Sequence, residues 1–562
     1  MQLKFIIDDR EPRTTKDREL RDAEVRAHAA RVSHQRKNAR CKGPQVVALR
    51  GNRAALRDGA EESDDVDGDE SLLDENMFLT NNFRRILGGG RVDPFDSSPI
   101  QKLPSYVLNI LDHAWMDVWS ALRPHPRTGV IHPDIYGWRN AGLSCEALFH
   151  AYVAGAAGIA LASGVGADSK EQIGRTQIYH TVKAINCVSQ ELSRNDGPPS
   201  DALLMAVMTL SGHGEVADEA HGEPYARSPL VQAHRVNVFA RLAITPAHSR
   251  AIGTLIMKKG GLEGVVLPGF RSLLCLTDVL QGSIASSRPM LPFVGRSESL
   301  VSSGVHILDE KARERASVLG TGFWVEGFPA IDEGFQAVLS AACELTTAVD
   351  HLQRKENDPP ALYDIVEFRT FVQHCLLSLQ PRISVPLDTP DYTYEACRLS
   401  TLIYSDINIW PLPKSSNIRP RLSQHLKLVL SERAGAEAGA ISKDFLLWIS
   451  MMGAIAARHT EHEQYFLELL ARDARTLTWD DFRKTMLEFL WCDFVVAPLA
   501  RPLWNQACAL KAFHRLPIRT VALATAEMTT LSKPKQQESL TTIASRDTQS
   551  LSLVDSGVKV LV

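Results

Sequence analysis

Residues 395–413, EACRLSTLIYSDINIWPLP, and 445–457, FLLWISMMGAIAA, settle the fold class. In the first, Ala396, Leu399, Ile403, Ile407 and Trp410 recur at steps of three and four, the spacing that lines one face of a helix, and Pro411 ends it. In the second, apolar residues surround the helix on every side, which places it inside a domain rather than on its surface. A membrane span needs about 20 apolar residues. This run is bounded by Asp444 and Arg458, so it reads as a core helix.

The same pattern repeats on either side. Val107, Leu111, Ala114, Val118 and Leu122 form a helical stripe closed by Pro124. Tyr179 to Leu192 and Asp201 to Leu210 continue the apolar helical style. In His248 to Gly264, Ala251, Leu255 and Ile256 supply a face, and Gly260 and Gly261 stand where a helix is capped. Thr478 and Asp481 have capping-box spacing ahead of Phe482, Met486, Phe489 and Leu490. The sequence therefore predicts an all-α fold with a large multi-helix body over 105–517. Cys145 to Ala167 is long enough for a membrane span, but it is dominated by Ala and Gly and carries His150, which is costly in lipid. The reading is a buried helix and no membrane partner.

Two of these stretches, with their Cys-Arg-Leu helix, Trp-Pro-Leu-Pro exit and Leu-Leu-Trp-Ile helix, resemble the C-terminal half of the fungal-specific transcription factor domain proteins. More narrowly they resemble the branch labelled tachykinin family, which lacks a zinc cluster. RAHAARVSHQRK at 26–37, LGGGRVDPFDSSPI at 87–100 and HSRAIGTLIMKKGGLEG at 248–264 fall in the order that the family shows. The resemblance implies a nuclear regulator of transcription with a large helical regulatory domain.

Of the 562 residues 44% are apolar, ample for a core, and the net charge of -4 hides separate blocks of opposite sign. Lys16 to Arg57 holds twelve Lys/Arg against four Asp/Glu, and 17–40 has no Gly or Pro to interrupt a helix. Acids at its start and bases at its end suit the helix dipole. As a basic arm (1–57, candidate helix 16–40) it reads in three ways: a DNA contact, a nuclear-import patch or a solvated helix. In the first, Arg26, Arg31, Arg36, Lys37 and Arg40 grip phosphates rather than base edges. Next, Asp58 to Glu75 has ten Asp/Glu and no Lys/Arg, the composition of a disordered linker. Residues 76–104, with Gly88 to Gly90 and Asp93-Pro94, read as a hinge, and the Ser/Thr-rich 518–562 as a disordered tail.

Other chemistry is sparse. The nine cysteines are scattered without a CxxC, so they read as reduced thiols and no zinc cluster. His213-Gly214-Glu215 and His221-Gly222-Glu223 with Asp218 and Glu219 could hold a metal, but no helix fixes their spacing. His459 and His462 with Glu461 and Glu463 read as a solvated turn. With no P-loop, Gly-x-Ser-x-Gly elbow or dinucleotide fingerprint, no cofactor or metal is expected and the enzyme reading is weak. Two other readings remain: a nuclear regulator with protein partners that touches DNA through phosphates, and a helical interaction scaffold without DNA contact.

Overall fold

The computed structural model describes residues 103–514 apart from 128, 167–168, 195–196, 217–226, 325–331, 383–390, 436–441 and 474–476. The chain parts into units 1–78 and 79–562, and every described residue lies in the second. The basic arm with Arg26, Arg31, Arg36, Lys37 and Arg40, the acidic linker, nearly all of the hinge and the C-terminal tail lie outside the described residues. Within them are seventeen α-helices and no strand, only an isolated antiparallel bridge between Val216 and Leu242. The all-α fold is thus observed.

The N-terminal core is made by α1 (Ser105–His113), α2 (Pro133–Ser144), α3 (Glu146–Ser163), α4 (Lys170–Arg194), α5 (Asp201–Gly212), α6 (Val236–Phe239), α7 (Pro246–Lys258) and α8 (Phe270–Ala285). After α1 the chain widens into a π turn, Ala114–Trp119, which re-aims the stripe so that Trp119 is buried beside Val118. The Ala/Gly helix α3 is the buried helix expected: thirteen of its eighteen residues are buried, and Gly164 at φ 71° ends it. It is the one described helix long and apolar enough to cross a membrane, and here its apolar surface is covered by protein. Helix α4 departs from expectation. Ile173, Thr176, His180, Ala184 and Val188 face the core, while Ile178, Tyr179, Val182 and Ile185 are exposed.

The C-terminal core is built from α9 (Glu310–Val318), α10 (Glu333–Arg354), α11 (Leu362–Ser378), α12 (Tyr392–Tyr404), α13 (Ile418–Gly435), α14 (Lys443–Ala456), α15 (Glu463–Asp473), α16 (Trp479–Leu487) and α17 (Asp493–His514). Periodicity assigns α12 one apolar face, but every residue from Tyr394 to Leu412 is buried. Its polar members are matched inside: Arg398 donates to both Glu395 oxygens at 2.9 and 2.6 Å, and Arg419 reaches Asp406 at 2.5 Å. A charge buried on a core helix is tolerated when a counter-charge or hydrogen-bond acceptors match it, and periodicity reveals neither.

Helix α14 is the core helix expected. Ser442 caps it by accepting from the Phe445 N–H, and Phe445 through Ala456 are buried except for half-buried Leu446. Trp448 stacks on Phe445 and Phe489, with ring centroids 6.0 and 5.7 Å apart, and donates its indole N–H to the Leu490 carbonyl at 3.0 Å. Full burial of each such ring contributes about 1.5–3 kcal/mol. Both predicted helix-end signals form: Thr478 and Asp481 close a capping box, and Gly260 and Gly261 follow α7 at φ 90° and 86°.

Residues 227–235 run between the two cores and are fastened to both. The Ser228 hydroxyl donates to the Asn408 carbonyl at 2.6 Å. Arg369, fully buried on α11, donates to the carbonyls of Leu230 (3.0 Å) and Ala233 (2.7 Å), and its guanidinium lies 4.5 Å over the Trp410 ring. Arg235 donates to the Asp117 carbonyl of the π turn at 2.9 Å. Helix α8 is also shared, giving Leu273 and Leu274 to the first core and Cys275, Leu276 and Val279 to the second.

Candidate functional site

The N-terminal core does not fill completely. Between the π turn, α3, α5, α6 and α8 a cavity of about 70 Å³ remains. Its aromatic wall is Trp115, Trp119, Tyr152 and Phe239, with Trp115 edge-on to Trp119 at 4.6 Å and to Tyr152 at 4.9 Å. Met205 and Met208 of α5 and Leu273 and Leu280 of α8 complete the apolar lining. Leu122, Ile244, Gln281 and Ile284 are half-buried members of the lining.

Local sequence explains the seat. Gly155 of α3 leaves room for α5 to come close, since a Cβ there would lie 3.1 Å from Thr209 and 3.2 Å from the His213 ring. Gly158 likewise admits Gln177, whose amide donates to the carbonyls of His213 and Gly214 at 3.2 and 3.1 Å. His213 follows the last residue of α5, so its ring folds back on its own helix and Nδ1 sits 2.7 Å from the Thr209 carbonyl. Trp119 and Phe239 meet the ring edge-on.

Most polar groups of the lining are already used. The Tyr152 hydroxyl lies 3.1 Å from the Trp138 carbonyl and 2.8 Å from the Met205 sulfur, and the Trp138 indole donates to Pro268 at 2.8 Å. Thr209 and Thr277 hydroxyls donate to carbonyls one turn back. Two lining imidazoles are different: Nε2 of His213 and Nδ1 of His234 are buried and have no partner. Leaving such a group unmatched costs about 1–3 kcal/mol. Burial also holds both rings neutral, lowering His213 to about 4 and His234 well below the ordinary imidazole value.

The backbone at the second imidazole is strained as well. His234 and Arg235 stand in succession at φ 52° and 51°, where residues with a Cβ rarely sit. Arg369 on one side and Arg235 on the other hold this conformation by their hydrogen bonds to carbonyls, so the fold fixes His234 in the cavity wall.

The sequence places His213 in a candidate metal loop. Of that loop, His221, Asp218 and Glu219 lie outside the described residues, and among the described residues no group of three or more metal-ligating side chains assembles. Instead His213 shares a wall with Trp115 of the π turn, Tyr152 of α3 and His234, residues from separate stretches of the chain that no local motif connects. The second His/Glu group is a turn as expected, with the His459 N–H donating to Glu463 at 2.7 Å. All eight described cysteines are free. Neither family models, curated proteins nor solved structures give a match to the chain.

Proposed function

We propose that this protein is a nuclear, transcription-associated regulator whose helical body acts as a sensor, holding a small, largely apolar molecule with a hydrogen-bonding group in the cavity around His213 and His234. The carrying observation is the pair of buried, unpartnered imidazole nitrogens in a lining whose other polar groups are largely paired. An occupant of the cavity that hydrogen-bonds to either nitrogen removes the cost of leaving it unmatched. The all-helical body is also what the resemblance to the fungal regulatory domain implies. In this reading the basic arm contacts DNA through Arg26, Arg31, Arg36, Lys37 and Arg40, and protein partners read the state of the body.

One observation favours a second reading, an interaction scaffold with no DNA contact. Ile178, Val182 and Ile185 form an exposed apolar stripe along α4, the kind of surface that a protein partner covers.

A salt titration of duplex binding separates them. The regulator reading expects binding with little sequence preference, and removing each phosphate-gripping cation should reduce the salt slope by about 0.9. Neutralising Arg31, Arg36, Lys37 and Arg40 together should weaken binding to all duplexes alike, and deleting residues 58–75 should strengthen it. Absence of binding by all three proteins at low salt, with nuclear import of a fluorescent fusion abolished only in the neutralised variant, would leave the scaffold.

A further inference from the structure

We infer that the cavity takes a neutral, single-ring molecule that donates a hydrogen bond to His213 Nε2, a ligand of the phenol class. The inference rests on reading the helical body as a sensor and gives its ligand a chemistry.

The direction of the hydrogen bond follows from the other ring nitrogen. A neutral imidazole carries one N–H, and Nδ1 of His213 lies 2.7 Å from a carbonyl oxygen, which can only accept. The proton therefore sits on Nδ1, and Nε2 presents a lone pair that nothing in the protein uses. With the ring held neutral to about pH 4, this tautomer persists across the physiological range. His213 lines the cavity, so an occupant that reaches Nε2 must bring the donor. His234 Nδ1 takes either role according to tautomer, and so adds no constraint.

The rest of the wall sets size and charge. No Asp, Glu, Lys or Arg lines the cavity, so a charged molecule would enter without a counter-ion, at a cost that a neutral one avoids. Trp115, Trp119, Tyr152 and Phe239 offer ring faces and edges to a planar guest. The volume of about 70 Å³ is below the ~150 Å³ of the engineered cavity that takes benzene. Met205 and Met208, the most adaptable side chains in the lining, are the ones that yield to admit one ring. A two-ring guest would need the wall itself to move.

Phenol and toluene have the same shape and differ in the donor, so they are the probes. Calorimetric titration of the full chain should give phenol an affinity equal to or greater than that of toluene. An apolar cavity without an acceptor would prefer toluene, because phenol loses its hydration without replacement. In His213→Phe the phenol-to-toluene affinity ratio should fall at least tenfold while toluene itself changes less than threefold. Should that variant fail to fold, imidazole 15N resonances of the wild-type chain give the answer. Phenol should shift the unprotonated nitrogen of His213 and toluene should not. Toluene binding tenfold more tightly than phenol, or bound phenol leaving that resonance in place, overturns the donor assignment and leaves the sensor reading standing. No binding of either probe overturns both.

Discussion

Around Trp448, the space between α14, the turn Thr321–Phe323 and the chain that follows α16 is taken up by interlocked rings: Phe323 meets Trp448 and Phe489 edge-on at 5.4 and 5.1 Å, and Phe445 stacks on the indole. Around Trp119, helices of similar length built from Ala, Gly and Met enclose a cavity and two unmatched imidazoles. Both regions belong to one body and share α8, so the difference lies in side-chain volume. Large rings fill the gaps between helices in the C-terminal core. In the N-terminal core small residues draw the α3, α4 and α5 backbones together, and the ring-bearing π turn stands against them with space left over. One core is filled by its rings, and the other keeps a cavity of about 70 Å³.

Perturbing each core tests whether this contrast is real. The largest effect is expected from Trp448→Asp, which places an unpaired carboxylate where the ring is wholly buried. The cost of several kcal/mol is comparable with total stability of about 5–15 kcal/mol. Circular dichroism should show the helical signal lost well below the wild-type melting temperature, and a midpoint near wild type would mean the stack is not what holds this core.

Arg369→Leu tests the fastening between the cores. It removes the guanidinium's bonds to the Leu230 and Ala233 carbonyls, which keep only their backbone donors, the N–H groups of Ala233 and Val236, and should cost about 1–3 kcal/mol in urea unfolding. Because the same bonds hold the strained His234, the variant should also lose toluene binding. Intact toluene affinity would show that the cavity does not depend on this strap.

Acid should weaken both halves. Burial holds His213 in the N-terminal core and His306 in the C-terminal core at about 4, and the neighbouring His351 also lowers His306. Both are neutral in the fold but take a proton near pH 6.5 when unfolded. Their contribution is therefore complete above about pH 6.5 and is lost as pH falls from there towards 4, at up to about 1.4 kcal/mol per pH unit for each. Urea midpoints from pH 7.5 to 4.5 should fall with this slope, and His306→Leu should flatten it. A flat profile in the wild type would show that the two imidazoles are not held neutral.

The smallest effects set the two cores side by side. A Cβ at Gly453 would overlap the Phe466 ring, so Gly453→Ala should cost about 1–3 kcal/mol by overpacking. Leu280→Phe adds volume at the cavity and should change stability by less than about 1 kcal/mol, since the space already exists. Equal costs for the two, read from the same thermal melts, would mean that the cores are packed alike.

What depends on near neighbours along the chain was legible in the sequence. Steps of three and four among Val107 to Leu122 and Ala396 to Trp410, the Thr478 cap and the Gly260-Gly261 stop all report local geometry, and they were enough for an all-α body with α3 and α14 inside it. Periodicity also misled where burial overrode it, as with the exposed stripe of α4 and the fully enclosed α12. The cavity and its chemistry come from tertiary packing alone. Its wall draws on Trp115, Tyr152, His213, His234 and Gln281, which no spacing links. Whether a gap stays open depends on the summed volumes and approach distances of side chains brought together from distant positions, and whether a nitrogen stays unmatched depends on every group packed around it. Neither quantity is a property of any one segment.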